Sequence, residues 1–209
     1  KQRQIFPRFY FVNNDDLVEI IGNSNEPGKI LSHLSKMFSA IATLSVEETN
    51  DNDNDNDNDN GNKEAAHLYA GKICSKEGEE VNLITPINLN VDVKTWLQQL
   101  ETEMVTTLAT LLQDAMNGMS TNDEELFQWV DSYPAQVVIL ASQVKWCEEV
   151  EESFALTSGS TAATECHALT SVLSILETRL KVLSQGVLGK VASALRKKCE
   201  QLITEVVHQ

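Results

Sequence analysis

A chain of 209 residues can hold one large domain or two small helical lobes, each with its own core. The formal net charge of -15 and the pI near 4.6 argue against nucleic acid or an anionic membrane as partner, because phosphate binding needs clustered Lys and Arg. Four scattered cysteines, Cys74, Cys147, Cys166 and Cys199, form no C-x-x-C pair and read as free thiols of a reducing cytosol, not as a zinc ribbon or disulfide scaffold.

Residues 1–49 read as an extended opening and two helices. The run Ile5 to Val12 is short and aromatic with Pro7 inside it, which predicts an extended segment laid on a core. Asn13 and Asn14 offer cap chemistry, Asp15 and Asp16 suit a first helical turn, and Leu17, Ile20 and Ile21 set a periodic face that Gly22 ends. After a turn over residues 23–28, Ile30, Leu31, Leu34, Met37, Phe38 and Ile41 mark a second amphipathic helix.

Residues 50–62 alternate Asp and Asn up to Gly61-Asn62, and a tract with nothing to bury is expected to be a disordered surface insertion. It lacks the Gly and Glu spacing of a calcium loop, so no metal site is expected there. Over residues 63–90 the period shortens. Leu68 to Ile73 and Val81 to Ile84 predict a β-hairpin with Gly78 at a positive-φ turn position and Pro86 stopping the second strand.

Residues 91–156 read as long bundle helices. Trp96, Leu97, Leu100, Met104, Leu108, Leu111 and Leu112 keep a three-and-four stripe until Asn117-Gly118. A shorter segment carries Leu126, Phe127, Trp129 and Val130, and Pro134 then starts a helix with Val137, Leu140, Val144, Cys147, Val150 and Phe154 on one face. The polar stretch 157–164 reads as a loop. Across residues 165–209, Leu169, Leu173, Leu176, Leu180, Leu183 and Val187 alternate in fours and threes, and Val191, Leu195, Leu202 and Val206 continue after a break near Gly186 and Gly189. The fold class expected is mainly α, an elongated helical bundle with one small β-hairpin.

No catalytic, cofactor or metal residues emerge. Gly28-Lys29, Gly71-Lys72 and Gly189-Lys190 are each followed by an aliphatic residue where a phosphate loop needs Ser or Thr. The histidines His33, His67, His167 and His208 share no ligand spacing, and adjacent Cys166 and His167 point apart on a helix. The carboxylates Glu148, Glu149, Glu151 and Glu152 read as a solvated helix face, with docking to a basic partner as the alternative. No apolar run approaches the roughly 20 residues that span a bilayer, and the opening on Lys1 without Met or signal peptide reads as a piece of a longer chain.

Several ordered runs resemble the heavy chain of dynein, the AAA+ microtubule motor. Phe6-Pro7-Arg8-Phe9-Tyr10-Phe11, followed by Asp15-Asp16-Leu17 and then Gly22, is similar to that family's signature in the linker region, with Lys36-Met37-Phe38 at the family's spacing. Glu77-Gly78-Glu79 resembles its strand-pair turn. Trp96-Leu97, Trp129, Gln136, Gln143 and Trp146 continue the series, and the end at His208-Gln209 resembles the cytoplasmic rather than the axonemal branch.

The resemblance implies a linker segment that bends and straightens over the AAA+ ring to produce the power stroke of microtubule transport. It implies no ATPase in this segment, ATP and magnesium being bound elsewhere in the parent chain. The implied partners are the ring of the same heavy chain and, for the parent complex, intermediate chains, light chains and microtubules, without nucleic acid or membrane. The implied location is cytoplasmic and cytoskeleton-associated. A helical adaptor binding another protein through an acidic or heptad surface is the alternative reading.

Overall fold

A computed structural model describes residues 1–24, 26–49, 67–119, 123–157 and 162–209. The chain is mainly α-helical with a small antiparallel sheet. It divides into two compact units, Lys1–Thr107 and Leu108–Gln209. The Asp-Asn tract lies outside the described residues.

In the first unit the opening is not extended. A short helix, α1 (Gln2–Ile5), runs into a 3-10 turn over Pro7–Phe11, because Pro7 at the first position supplies a helical φ and needs no amide donor there. Helix α2 (Asn14–Gly22) starts as expected, with the Asn13 side chain accepting from Asp16 N at 2.7 Å. The single helix expected over residues 30–41 is instead two short ones, α3 (Pro27–Leu31) and α4 (Leu34–Met37), joined through His33. Phe38 then turns extended, and the chain enters a strand absent from the sequence reading, β1 (Thr43–Thr49).

The expected hairpin is therefore part of a three-stranded sheet, β1-β2-β3, with β2 (His67–Cys74) in the middle and β3 (Glu80–Asn88) outside. Gly78 takes φ +84° at the turn, and Ser75 closes it by accepting from Glu79 N through its Oγ at 3.1 Å. Pro86 does not stop β3. Lys72 pairs with Asn82 and Ala70 with Ile87, so residues 83–86 bulge opposite Gly71 alone. Helix α5 (Val93–Gly118) satisfies the amides freed there: Thr107 Oγ1 accepts from Ile84 N at 3.2 Å, and Glu103 Oε1 accepts from Thr85 N at 2.7 Å. The core of this unit joins Phe6, Phe9 and Ile20 to Leu34, Phe38, Ile87, Trp96, Leu97 and Leu100. Each fully buried aliphatic side chain there contributes about 1.5–3 kcal/mol.

The second unit contains the end of α5, with α6 (Asp123–Ser132), α7 (Ala135–Thr157), α8 (Ala162–Leu188) and α9 (Ser193–His208). Its core gathers Ala115, Trp129, Val138, Ala141, Leu183, Cys199, Leu202 and Val206. Two predicted stripes are corrected. On α7 the buried side is Val137, Val138, Ala141, Ser142 and Ser153, while Leu140, Cys147 and Phe154 are exposed. The helix is apolar on several sides, so periodicity could not select the inner one. On α8 the expected heptad turns outward at Leu169 and Leu173, and Val172, Leu176, Arg179 and Leu183 face the core.

Nor does Gly186 break α8. The helix runs through it, and an added Cβ would lie 1.7 Å from the Phe127 ring of α6. Gly186 is where a ring packs onto helical backbone. The chain turns only after Leu188, where Gly189 N donates to Gly186 O at 3.0 Å and Arg196 Nη2 donates to Gly189 O at 3.1 Å. Among the described residues, no helix is long and apolar enough to cross a membrane.

Candidate functional site

The aromatic opening is built around two arginines. Arg3 donates through Nε to Phe9 O at 3.1 Å, and through Nη2 to Val12 O and Asn14 Oδ1, both at 2.9 Å. Its guanidinium fork thus ties the end of the 3-10 turn to the start of α2. Arg8 lies over the Phe38 ring at 4.5 Å, donates from Nε to Glu101 Oε1 at 3.0 Å, and from Nη1 to Met37 O at 3.2 Å. Phe6 meets Phe9 edge-on at 5.0 Å, and both are buried, while Pro7, Tyr10 and Phe11 stay exposed. Met37 and Phe38 join the same core, and Leu17 packs at its margin.

The other residues on which the sequence resemblance rests are distributed along both units. Glu77 and Gly78 are exposed at the hairpin tip beside Glu79, and Trp96-Leu97 are fully buried in the first core. In the second unit Trp129 Nε1 donates to Ala115 O at 2.8 Å within the core, and Trp146 packs at its edge. Gln143 Nε2 donates to Glu205 Oε1 at 2.7 Å, binding α7 to α9. Gln136 and His208 are exposed, and Gln209 caps α9.

A polar cluster in the first unit was not visible in the histidine spacing. Asp16 and Glu19 lie one turn apart on α2, and His33 stands against them from the corner between α3 and α4. His33 Nε2 is 3.5 Å from Glu19 Oε2, and Nδ1 is 3.8 Å from Asp16 Oδ1. Lys36 Nζ reaches Asp16 Oδ2 at 2.5 Å and lies 3.4 Å from His33 Nδ1. Asp15 is exposed on the same first turn, and Gly22 ends α2. The available signal was the Asp16-x-x-Glu19 pair on one helical face.

A groove of about 530 Å³ in the first unit lies between β3 and α5 and is lined by Thr85, Asn88, Gln98, Gln99, Thr102 and Glu103 among others. Its titratable lining residue, Glu103, is already held by the Thr85 amide. In the second unit, Arg179 and Glu149 form a buried pair, Nη2 to Oε1 at 2.7 Å and Nη1 to Oε2 at 3.4 Å. Glu149 is thus withdrawn from the solvated face expected of residues 148–152. Burial pushes the Cys199 thiol up, and the carboxylates of Asp131 and Glu200 add to that against the opposing Lys198. The side chains of Cys166 and His167 lie outside the described ones.

Residues 1–115 match the family described as Dynein heavy chain, N-terminal region 2. The chain belongs to the dynein heavy chain family. Over its whole length it is 37% identical to the cytoplasmic dynein heavy chain of Dictyostelium discoideum, 33% to that of Drosophila melanogaster and 37% to that of Fusarium vanettenii. It spans about 4% of the length of each of these relatives. The resemblance of the chain to cytoplasmic dynein heavy chains thus extends over all 209 residues.

Proposed function

We propose that this dynein heavy chain segment is part of the linker, a mechanical element that bends and straightens over the AAA+ ring of its own heavy chain and so drives microtubule-based transport. The observation that carries the reading is that the similarity covers the whole chain and falls on about 4% of the length of the cytoplasmic heavy chains. On this reading the segment itself binds no nucleotide, and ATP and magnesium act elsewhere in the parent chain. The parent complex works in the cytoplasm with intermediate and light chains on microtubules. A transmitting element needs packed bodies that keep their shape under load, and the two cores with their cross-helix bonds at Arg8, Trp129 and Gln143 suit that task.

The test uses a full cytoplasmic heavy chain motor carrying Arg8→Ala or Glu149→Gln, which loosen one core each. Microtubule gliding should slow several-fold while basal ATP turnover stays within about twofold, since turnover belongs to other modules. Unchanged gliding, or turnover lost in the same proportion as velocity, overturns the proposal. Hydrogen exchange on that motor in two nucleotide states locates compliance among residues 22–28, 157–164 and 186–189.

A further inference from the structure

We propose that Asp16, Glu19 and His33 form a binding site for a divalent first-row transition-metal ion, with zinc as the fitting occupant. Each of the three offers one ligand atom, and these atoms lie within 4.8 Å of one another. Tetrahedral bonds of about 2.0–2.2 Å from zinc to imidazole nitrogen and carboxylate oxygen place donors about 3.4 Å apart, so side-chain adjustments of about 1–1.5 Å close the site. An imidazole with two carboxylates suits zinc and its neighbours, whereas calcium takes six to eight oxygens.

The histidine supplies an observation independent of the carboxylates. Its side chain is only 8% exposed, yet its Nε2–Glu19 and Nδ1–Asp16 separations of 3.5 and 3.8 Å are longer than hydrogen bonds. The backbone that carries the ring is fixed on either side of it: His33 N donates to Ile30 O at 2.9 Å, and His33 O accepts from Lys36 N at 3.0 Å. Ile30 and Leu34 are buried around it. A buried imidazole thus stands between two carboxylates, with Nε2 3.5 Å from Glu19 and Nδ1 3.4 Å from the Lys36 ammonium, and neither nitrogen has a short bond among the described residues.

Lys36 is the built-in competitor. Its ammonium lies against Asp16, and at 43% exposure its long side chain can swing into water when a divalent ion enters. Binding therefore exchanges one protein cation for the metal, which predicts opposite effects for two conservative substitutions. Glu19→Gln removes a ligand charge, and Glu19 is 52% exposed, so the fold is retained. Lys36→Met keeps the side-chain length and removes the competing charge.

The experiment titrates zinc chloride into the full 209-residue chain by calorimetry and follows the imidazole nitrogens of His33 by long-range proton–nitrogen correlation spectra. Expected are a shift of the His33 resonances saturating at one equivalent, affinity weakened at least about tenfold by Glu19→Gln, and affinity raised about tenfold by Lys36→Met. Zinc taken up loosely by the Asp-Asn tract leaves the His33 resonances in place. Unmoved His33 resonances, or an affinity indifferent to both substitutions or weakened by Lys36→Met, overturn the proposal.

Discussion

The ion pair of Arg179 and Glu149 is the sharpest place to test how the second unit is held together. Arg179 stands at a core position of α8, with its side chain 6% exposed and Glu149 15% exposed. Glu149→Gln preserves the shape and removes the charge, leaving a guanidinium in the interior whose Nε already lacks a partner among the described residues. Breaking a buried pair by removing one charge costs about 3–5 kcal/mol, and the residual exposure of Glu149 favours the lower end, about 3 kcal/mol. That is a rise of roughly 100-fold in the opening equilibrium. Hydrogen exchange with mass spectrometry, read on peptides of α7 and α8, measures it directly. The double variant Glu149→Leu with Arg179→Met removes both charges and should return protection to within about 1 kcal/mol of the wild type, because the desolvation cost disappears along with the attraction. A single variant within about 0.5 kcal/mol of wild type, or a double variant as damaged as the sum of the singles, would refute the reasoning.

Four further outcomes follow from the same cores. Gly186→Ala drives a methyl into the Phe127 ring and should cost about 1–3 kcal/mol in urea unfolding, with Phe127→Leu restoring part of the loss; a neutral Gly186→Ala contradicts the packing. Trp129→Phe leaves the Ala115 carbonyl without its indole donor and should destabilise the second unit by about 1–3 kcal/mol, seen as a lower midpoint. The buried Cys199 thiol should resist iodoacetamide at mildly alkaline pH while exposed Cys147 reacts, and equal rates would be inconsistent with the burial. Because the folded Cys199 pKa is raised, its stability term is at full value below the unfolded thiol pKa. The term declines as pH rises beyond that, since the unfolded chain then releases a proton the folded chain keeps; Cys199→Ala removes that slope.

What could be read from residue order was whatever local chemistry decides alone. The Asn13 cap, the Gly78 turn and the end of α5 at Gly118 each depend on one or two residues, and each stands where the pattern put it. Strand β1 escaped because its Leu44 and Val46 follow Ile41, which also fits a helical stripe, and because its pairing partner β2 lies beyond the Asp-Asn tract. Pro86 was misread as a stop because the amides around it are satisfied by Glu103 and Thr107, about three and four turns into a helix that periodicity treats separately. The same non-locality hid Arg179–Glu149 and the His33 cluster. In both, the partners are 14 to 30 residues apart, and either side chain alone reads as solvated.

On the proposed mechanical reading, these contacts also change where the segment can yield. Of the three breaks suggested by composition, Gly186 is excluded as a swivel, since rotation there must first expel the Phe127 ring. The turn after Leu188 is held by the Gly189 amide and by Arg196 on the Gly189 carbonyl, and further along α9 Lys198 Nζ donates to Tyr133 O, just before α7, at 2.7 Å. Two bonds to backbone carbonyls at this corner, with the third tying α9 to the α6–α7 connection, make it a clamp, because each carbonyl would have to find water as the corner opened. The Asn23 turn is different in kind. Its side-chain bonds, Asn23 Nδ2 to Glu19 O and Lys29 Nζ to Asn23 Oδ1, are solvent-exposed, so water replaces them at little cost. Yet the Asp16–His33–Lys36 cluster spans that same turn from α2 to α4, and whatever tightens the cluster stiffens it. A metal ion at His33 should therefore slow hydrogen exchange across residues 19–33 and leave residues 186–192 unchanged. Equal protection at both places would separate the two sites and remove the Asn23 turn as the compliant point.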